Sequence, residues 1–107
     1  CWSLVGSEMC IRDRVSGEVI SARWKQWLKH DPVNLVSRYK KNLNSLQALY
    51  IDCGRSDQFH IHFGTRQLAQ KLKLNSIKHT YEEFDGTHSG IDHRLDISLP
   101  FLAQRLK

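Results

Sequence analysis

Apolar residues recur along this chain at two different periods, and the period changes where glycine, proline or aspartate interrupts it. Ile20, Trp24, Trp27 and Leu28 fall at helical spacing within 16–30 and predict an amphipathic helix. Asp31-Pro32 breaks it, because the residue before a proline avoids the helical region. Asp31 is placed to cap a second helix with Pro32 as its first residue, running to about Lys40, with Val33, Val36 and Tyr39 inward. Residues 42–45 read as a loop. Ala48 to Ile51 form a continuous apolar run inside 47–53, the pattern of a strand covered on both faces. The helical period returns over 59–74, with Ile61, Leu68 and Leu72 on one side. A second strand is expected over 77–84, half-exposed because charged residues flank Tyr81. The last segment, 91–107, carries Leu95, Leu99, Leu102 and Leu106 on a stripe, with Pro100 predicting a kink or two shorter helices.

The order helix–helix–strand–helix–strand–helix predicts an α/β domain with a right-handed parallel crossover. Each strand breaks into a loop bearing chemistry. Cys53-Gly54-Arg55-Ser56 delivers Asp57, and Asp85-Gly86-Thr87 delivers His88. In a parallel sheet, functional groups collect beyond the carboxyl ends of the strands. An acid followed by an imidazole on neighbouring loops is the second half of a Ser…Asp…His order, in which the acid orients the base. Taken singly, Asp57 also fits an N-cap and His88 an ordinary loop histidine.

Composition narrows the picture only slightly. The 107 residues allow one domain, and 40% hydrophobic with 25% charged residues is ordinary for a globular protein. The net charge of +5 is dispersed; its densest spot, Arg38-Tyr39-Lys40-Lys41, reads as a solvated helix face and not as a nucleic-acid stripe. Cys1, Cys10 and Cys53 have no C-x-x-C spacing, and Cys53 reads as a buried free thiol. No apolar run approaches the roughly 18 residues of a membrane span, so no membrane partner is expected; the dispersed charge leads to no nucleic-acid partner being expected either, and a cytoplasmic location is expected.

Residues 4–14 behave differently from the rest. Met9-Cys10-Ile11-Arg12-Asp13 resembles the translation of a transposase-type sequencing adapter, so 1–14 is expected to be a non-native, adapter-derived segment and natural sequence is expected from about Val15. On this expectation the true N-terminus lies upstream, and a signal peptide is left open.

His60-x-His62 has metal-ligand spacing, but positions i and i+2 of a helix point about 200° apart. His88 with Asp92 and His93 would need further ligands to hold a metal. Asp52 is an alternative acid to Asp57, disfavoured by its place within a strand. Trp24 and Trp27 read as core or interface anchors.

Tyr50-Ile51-Asp52-Cys53-Gly54-x-x-Asp57-Gln58-Phe59 and Tyr81-x-x-Phe84-Asp85-Gly86-x-His88-Ser89 resemble the C-terminal part of serine esterases of the alpha/beta-hydrolase group. That group includes esterase D, S-formylglutathione hydrolase and enterochelin-esterase-like proteins. Trp27-Leu28-x-x-Asp31-Pro32-Val33 and Ser98-Leu99-Pro100-Phe101-Leu102 are similar to flanking segments of the same group, so the resemblance runs from about Trp24 to the end. It implies the last two parallel strands of a doubly wound hydrolase sheet, with Asp57 as triad acid and His88 as triad base. It further implies a small-molecule ester substrate for the intact parent and no cofactor. The nucleophile elbow G-x-S-x-G is missing: Gly86-Thr87-His88-Ser89-Gly90 has its serine in the wrong register. The chain by itself is therefore expected to be inactive, and, as a fragment with unpaired strand edges, to self-associate. The alternative reading is a small basic nucleic-acid- or metal-binding module.

Overall fold

Asp31 caps a helix with its own carboxylate: Oδ1 accepts the Val33 amide at 2.9 Å, and Pro32, which has no N–H to leave unpaired, takes the first helical position. This helix, α2 (Pro32–Arg38), follows α1 (Ser21–Leu28) in the computed structural model of the chain, which describes residues 16–107. The adapter-like segment lies outside the described residues. The chain divides into two units, one ending at Leu35 and the other spanning Val36–Lys107. In the first, Ile20 has extended backbone and accepts the Trp24 amide at 2.9 Å, which starts α1. Trp27 and Leu28 are half-buried, while Trp24 is exposed.

The second unit holds α3 (Lys40–Asn44), β1 (Tyr50–Gly54), α4 (Ile61–Leu74), β2 (Thr80–Phe84), a 3-10 turn (Asp92–Arg94) and α5 (Leu95–Arg105). β1 and β2 pair in parallel, from Tyr50 opposite Thr80 to Gly54 opposite Phe84. The described residues thus form a mixed α/β protein with five α-helices and a two-stranded parallel sheet. None of these helices is long and apolar enough to cross a membrane.

The alternation of side chains across a strand divides the sheet's residues between two faces. Ile51, Cys53, Tyr81 and Glu83 share one face with α4. There Leu72, Val36 and Ile77, all nearly inaccessible, form the core, with Leu43, Leu49, Ile51 and Leu68 packed on it. Arg66 of α4 grips Glu83 through both carboxylate oxygens. Tyr50, Asp52, Glu82 and Phe84 share the other face with the C-terminal segment. Arg94 donates to Asp52 Oδ2 (2.9 Å), Glu82 Oε2 (2.9 Å) and the Tyr50 hydroxyl (3.0 Å), and its guanidinium lies 4.6 Å from the Phe84 ring centre. Phe101 of α5 packs on Tyr50 with ring centres 5.1 Å apart.

Several boundaries differ from the sequence expectation, each for a packing reason. Residues 42–45, read as a loop, include the end of α3: Leu43 is drawn onto the core, and Ser45 closes the turn with Oγ on the Asn42 carbonyl at 2.6 Å. α4 starts at Ile61 because His60 sits in the left-handed region at φ 58°. Its inward residues are His62, Ala69 and Leu72, whereas Ile61 is exposed. The α4 terminus is a Schellman turn. Ser76 has φ 57°, its amide reaches the Lys73 carbonyl, and the Ile77 amide reaches Leu72, so the two apolar ends of the motif meet in the core. Ile77 therefore serves as a core plug and β2 begins only at Thr80. Pro100 lies within a single α5, preceded by the 3-10 turn, and does not divide it into two helices.

Candidate functional site

The two strand ends are joined beyond the sheet by two more backbone bonds. Arg55 N–H donates to the Phe84 carbonyl at 2.9 Å, and Ser56 N–H to the Gly86 carbonyl at 3.0 Å. The loop after β1 then turns back on itself: the Asp57 amide donates to the Gly54 carbonyl at 3.2 Å, and Asp57 Oδ1 accepts the Phe59 amide at 2.7 Å. This Asx turn aims the other carboxylate oxygen at the loop after β2. Asp57 Oδ2 lies 3.0 Å from His88 Nδ1.

The two residues differ sharply in exposure. Asp57 is 4% accessible, while the His88 side chain is 47% accessible. Burial by itself would raise the Asp57 carboxyl, but the His88 hydrogen bond, the Phe59 amide, the nearby imidazole charge and the Ile61 amide together hold it below the ordinary carboxylate value. Asp57 is thus an anion facing Nδ1, the arrangement that stabilises the tautomer with hydrogen on Nδ1. Nε2 takes no hydrogen bond from the described residues. The imidazole is also flanked by Phe59, edge to face at 5.0 Å between centres, and its backbone amide donates to Gln58 Oε1 at 3.0 Å.

A depression of about 160 Å³ opens beside this pair. Asp57, His88 and Thr87 border it on one side, and Ile61, Phe84 and Ile91 give it apolar walls. Chemically, an oriented imidazole with a free nitrogen can take a proton from a neighbouring hydroxyl and return it to a leaving group.

The remaining candidates are placed elsewhere. Asp52 also borders the depression, but its carboxylate is paired with Arg94 and does not face His88. His93 Nδ1 lies 3.0 Å from the Gly90 carbonyl, and His88, Asp92 and His93 form no metal-holding group among the described residues. His60 and His62 pack ring to ring at 5.9 Å. His62 is buried, with Nδ1 unpartnered among the described residues. No group of three or more His, Cys, Asp or Glu converges among the described residues. The Ser89 backbone is tied to Thr87, whose hydroxyl accepts its amide at 3.3 Å. Cys53 is a buried free thiol.

Three neighbours of the site escaped the sequence pattern: Gln58, Phe59 and Arg94. Position next to Asp57 was the available signal for the first two. Nothing local marks Arg94, whose partners Tyr50 and Asp52 lie more than forty residues away. Compared with known protein families and with curated proteins, the chain matches no family model and no curated sequence.

Proposed function

We propose that this chain is the C-terminal part of a serine carboxylic-ester hydrolase of the alpha/beta-hydrolase fold, supplying the acid and general base of a Ser-His-Asp triad. One observation carries the reading: a buried Asp57 carboxylate 3.0 Å from Nδ1 of a half-exposed His88, the two on adjacent loops past the carboxyl ends of parallel strands. The serine and the oxyanion donors belong to upstream polypeptide, because no G-x-S-x-G occurs in the sequence.

In this mechanism Asp57 holds hydrogen on Nδ1, which leaves the Nε2 lone pair free. Nε2 removes the serine proton as the hydroxyl attacks the ester carbonyl, and the imidazolium so formed is stabilised by the Asp57 charge. The same proton then passes to the departing alkoxide, and water repeats the sequence to release the acid from the acyl-enzyme. The apolar walls formed by Ile61, Phe84 and Ile91 suit the hydrocarbon part of an ester. No cofactor takes part.

The test begins with the gene upstream of Val15. A frame encoding G-x-S-x-G directly after a predicted strand is expected, and the extended protein should hydrolyse short-chain nitrophenyl esters. His88→Ala in that protein should lower kcat about 10⁴-fold or more while leaving the circular dichroism spectrum unchanged. An extended frame without a serine elbow, or full turnover in His88→Ala, would overturn the reading.

A further inference from the structure

The loop that carries His88 has little to hold it. Gly86 and Gly90 bracket it, Gly90 at φ 66°, and residues 87–90 are all exposed. A histidine on such a loop would sample several positions, some of them presenting Nε2 and not Nδ1 to Asp57. Three consecutive residues of the facing loop oppose this, each on a different part of His88. Asp57 holds Nδ1, Phe59 stands edge-on to the ring, and Gln58 Oε1 accepts the backbone amide at 3.0 Å. The Gln58 bond is the one hydrogen bond to the main chain of His88 among the described residues.

We infer that Gln58 is a positioning residue for His88: by anchoring its backbone it fixes which ring nitrogen meets Asp57 and keeps Nε2 free. This assignment rests on the reading of His88 as general base. The chemistry of the amide suits the task. A backbone N–H can only donate, so it selects the Gln58 oxygen, and a glutamine accepts that bond with no charge of its own. A glutamate would hold the backbone equally well but would place a second carboxylate beside the imidazole and compete with Asp57 for its charge.

The test uses the whole chain labelled with [¹⁵N]histidine, in which long-range proton–nitrogen spectra report which ring nitrogen carries hydrogen. The His88 signals are assigned by their loss in His88→Gln. At pH 8 the wild-type ring should carry hydrogen on Nδ1. Gln58→Met, similar in length but without an acceptor, should give averaged His88 tautomers and at least tenfold faster exchange of the His88 amide, with the Ile77 and Thr80 amides unchanged. Gln58→Glu should restore the slow amide and the Nδ1–H form. Wild-type tautomer and amide exchange in Gln58→Met would overturn the proposal. So would Gln58→Glu that fails to slow the amide, which also covers the case of a poorly folded Gln58→Met. Hydrolysis is not read in this experiment, so a chain that proves to have no esterase parent bears on the function proposed above and not on this contact.

Discussion

A β-carbon placed on Gly54 would lie 2.5 Å from the carbonyl oxygen of Gly86 and 2.8 Å from that of Thr87. The obstacle is backbone on the opposite loop, which has no side chain to rotate away. Gly54 thus sets how closely the Asp57 loop and the His88 loop approach. Gly54→Ala should lower the unfolding free energy by about 1–3 kcal/mol, as overpacking does elsewhere. It should also speed hydrogen exchange at Ser56, whose amide bonds the Gly86 carbonyl. Urea titration and amide exchange check both, and unchanged Ser56 protection would contradict the argument.

Ser76 adopts the left-handed conformation that lets Ile77 fold back onto Leu72. A side chain is disfavoured there by about 1–2 kcal/mol, against about 0.5–1 kcal/mol that glycine loses through the freedom of its unfolded chain. Ser76→Gly should therefore stabilise the second unit by up to about 1 kcal/mol. The urea midpoint should rise with its slope unchanged.

Glu83 titrates at about 2 against an ordinary 4.5, lowered first by the Arg66 hydrogen bonds and then by the Tyr81 hydroxyl, in opposition to burial. A depressed carboxyl contributes stability that is present above its unfolded value and lost as pH falls through the folded one. Stability should therefore decline as pH drops from about 4.5 toward 2. Asp57, lowered from an ordinary 3.8, adds to the same acid limb. Glu83→Gln should flatten this limb in thermal unfolding measured across pH, while Tyr81→Phe should weaken it without abolishing it, because the Arg66 contacts come first.

The outer face of α5 and the residue that caps it are apolar and uncovered: Leu95, Leu99 and Leu106 are each more than half accessible. β1 has a ladder partner on one side alone among the described residues. The chain should self-associate with rising concentration in sedimentation velocity. Leu99→Gln combined with Leu106→Gln should shift the distribution toward monomer, with little loss of stability because neither side chain is in the core.

Residues acting within one or two turns of their own position were legible. Asp31-Pro32 announced a cap, and Gly54 and Gly86 announced strand ends. Asp57 and His88 could be singled out because each follows such a break. Where the outcome depended on packing, the pattern misled. Ile61 was expected inside and His62 was not, because the left-handed turn at His60 rotates the start of α4 in a way no spacing of apolar residues records. Asn42 to Ser45 carries loop-forming residues, yet Leu43 gains enough by joining the Val36–Leu72–Ile77 core to hold a turn of helix there.

The sequence by itself determined the order of elements, the parallel crossover implied by strand–helix–strand, and the two loops that bear an acid and an imidazole, because backbone preference and side-chain period act over a few residues. Only the tertiary structure decided that Asp57 and not Asp52 faces His88, that Arg94 occupies Asp52, and that Gln58 holds the His88 backbone. Those contacts join residues 30 to 42 positions apart. Their geometry follows from the register of β1 on β2 and the close approach at Gly54, which no single segment of the chain carries.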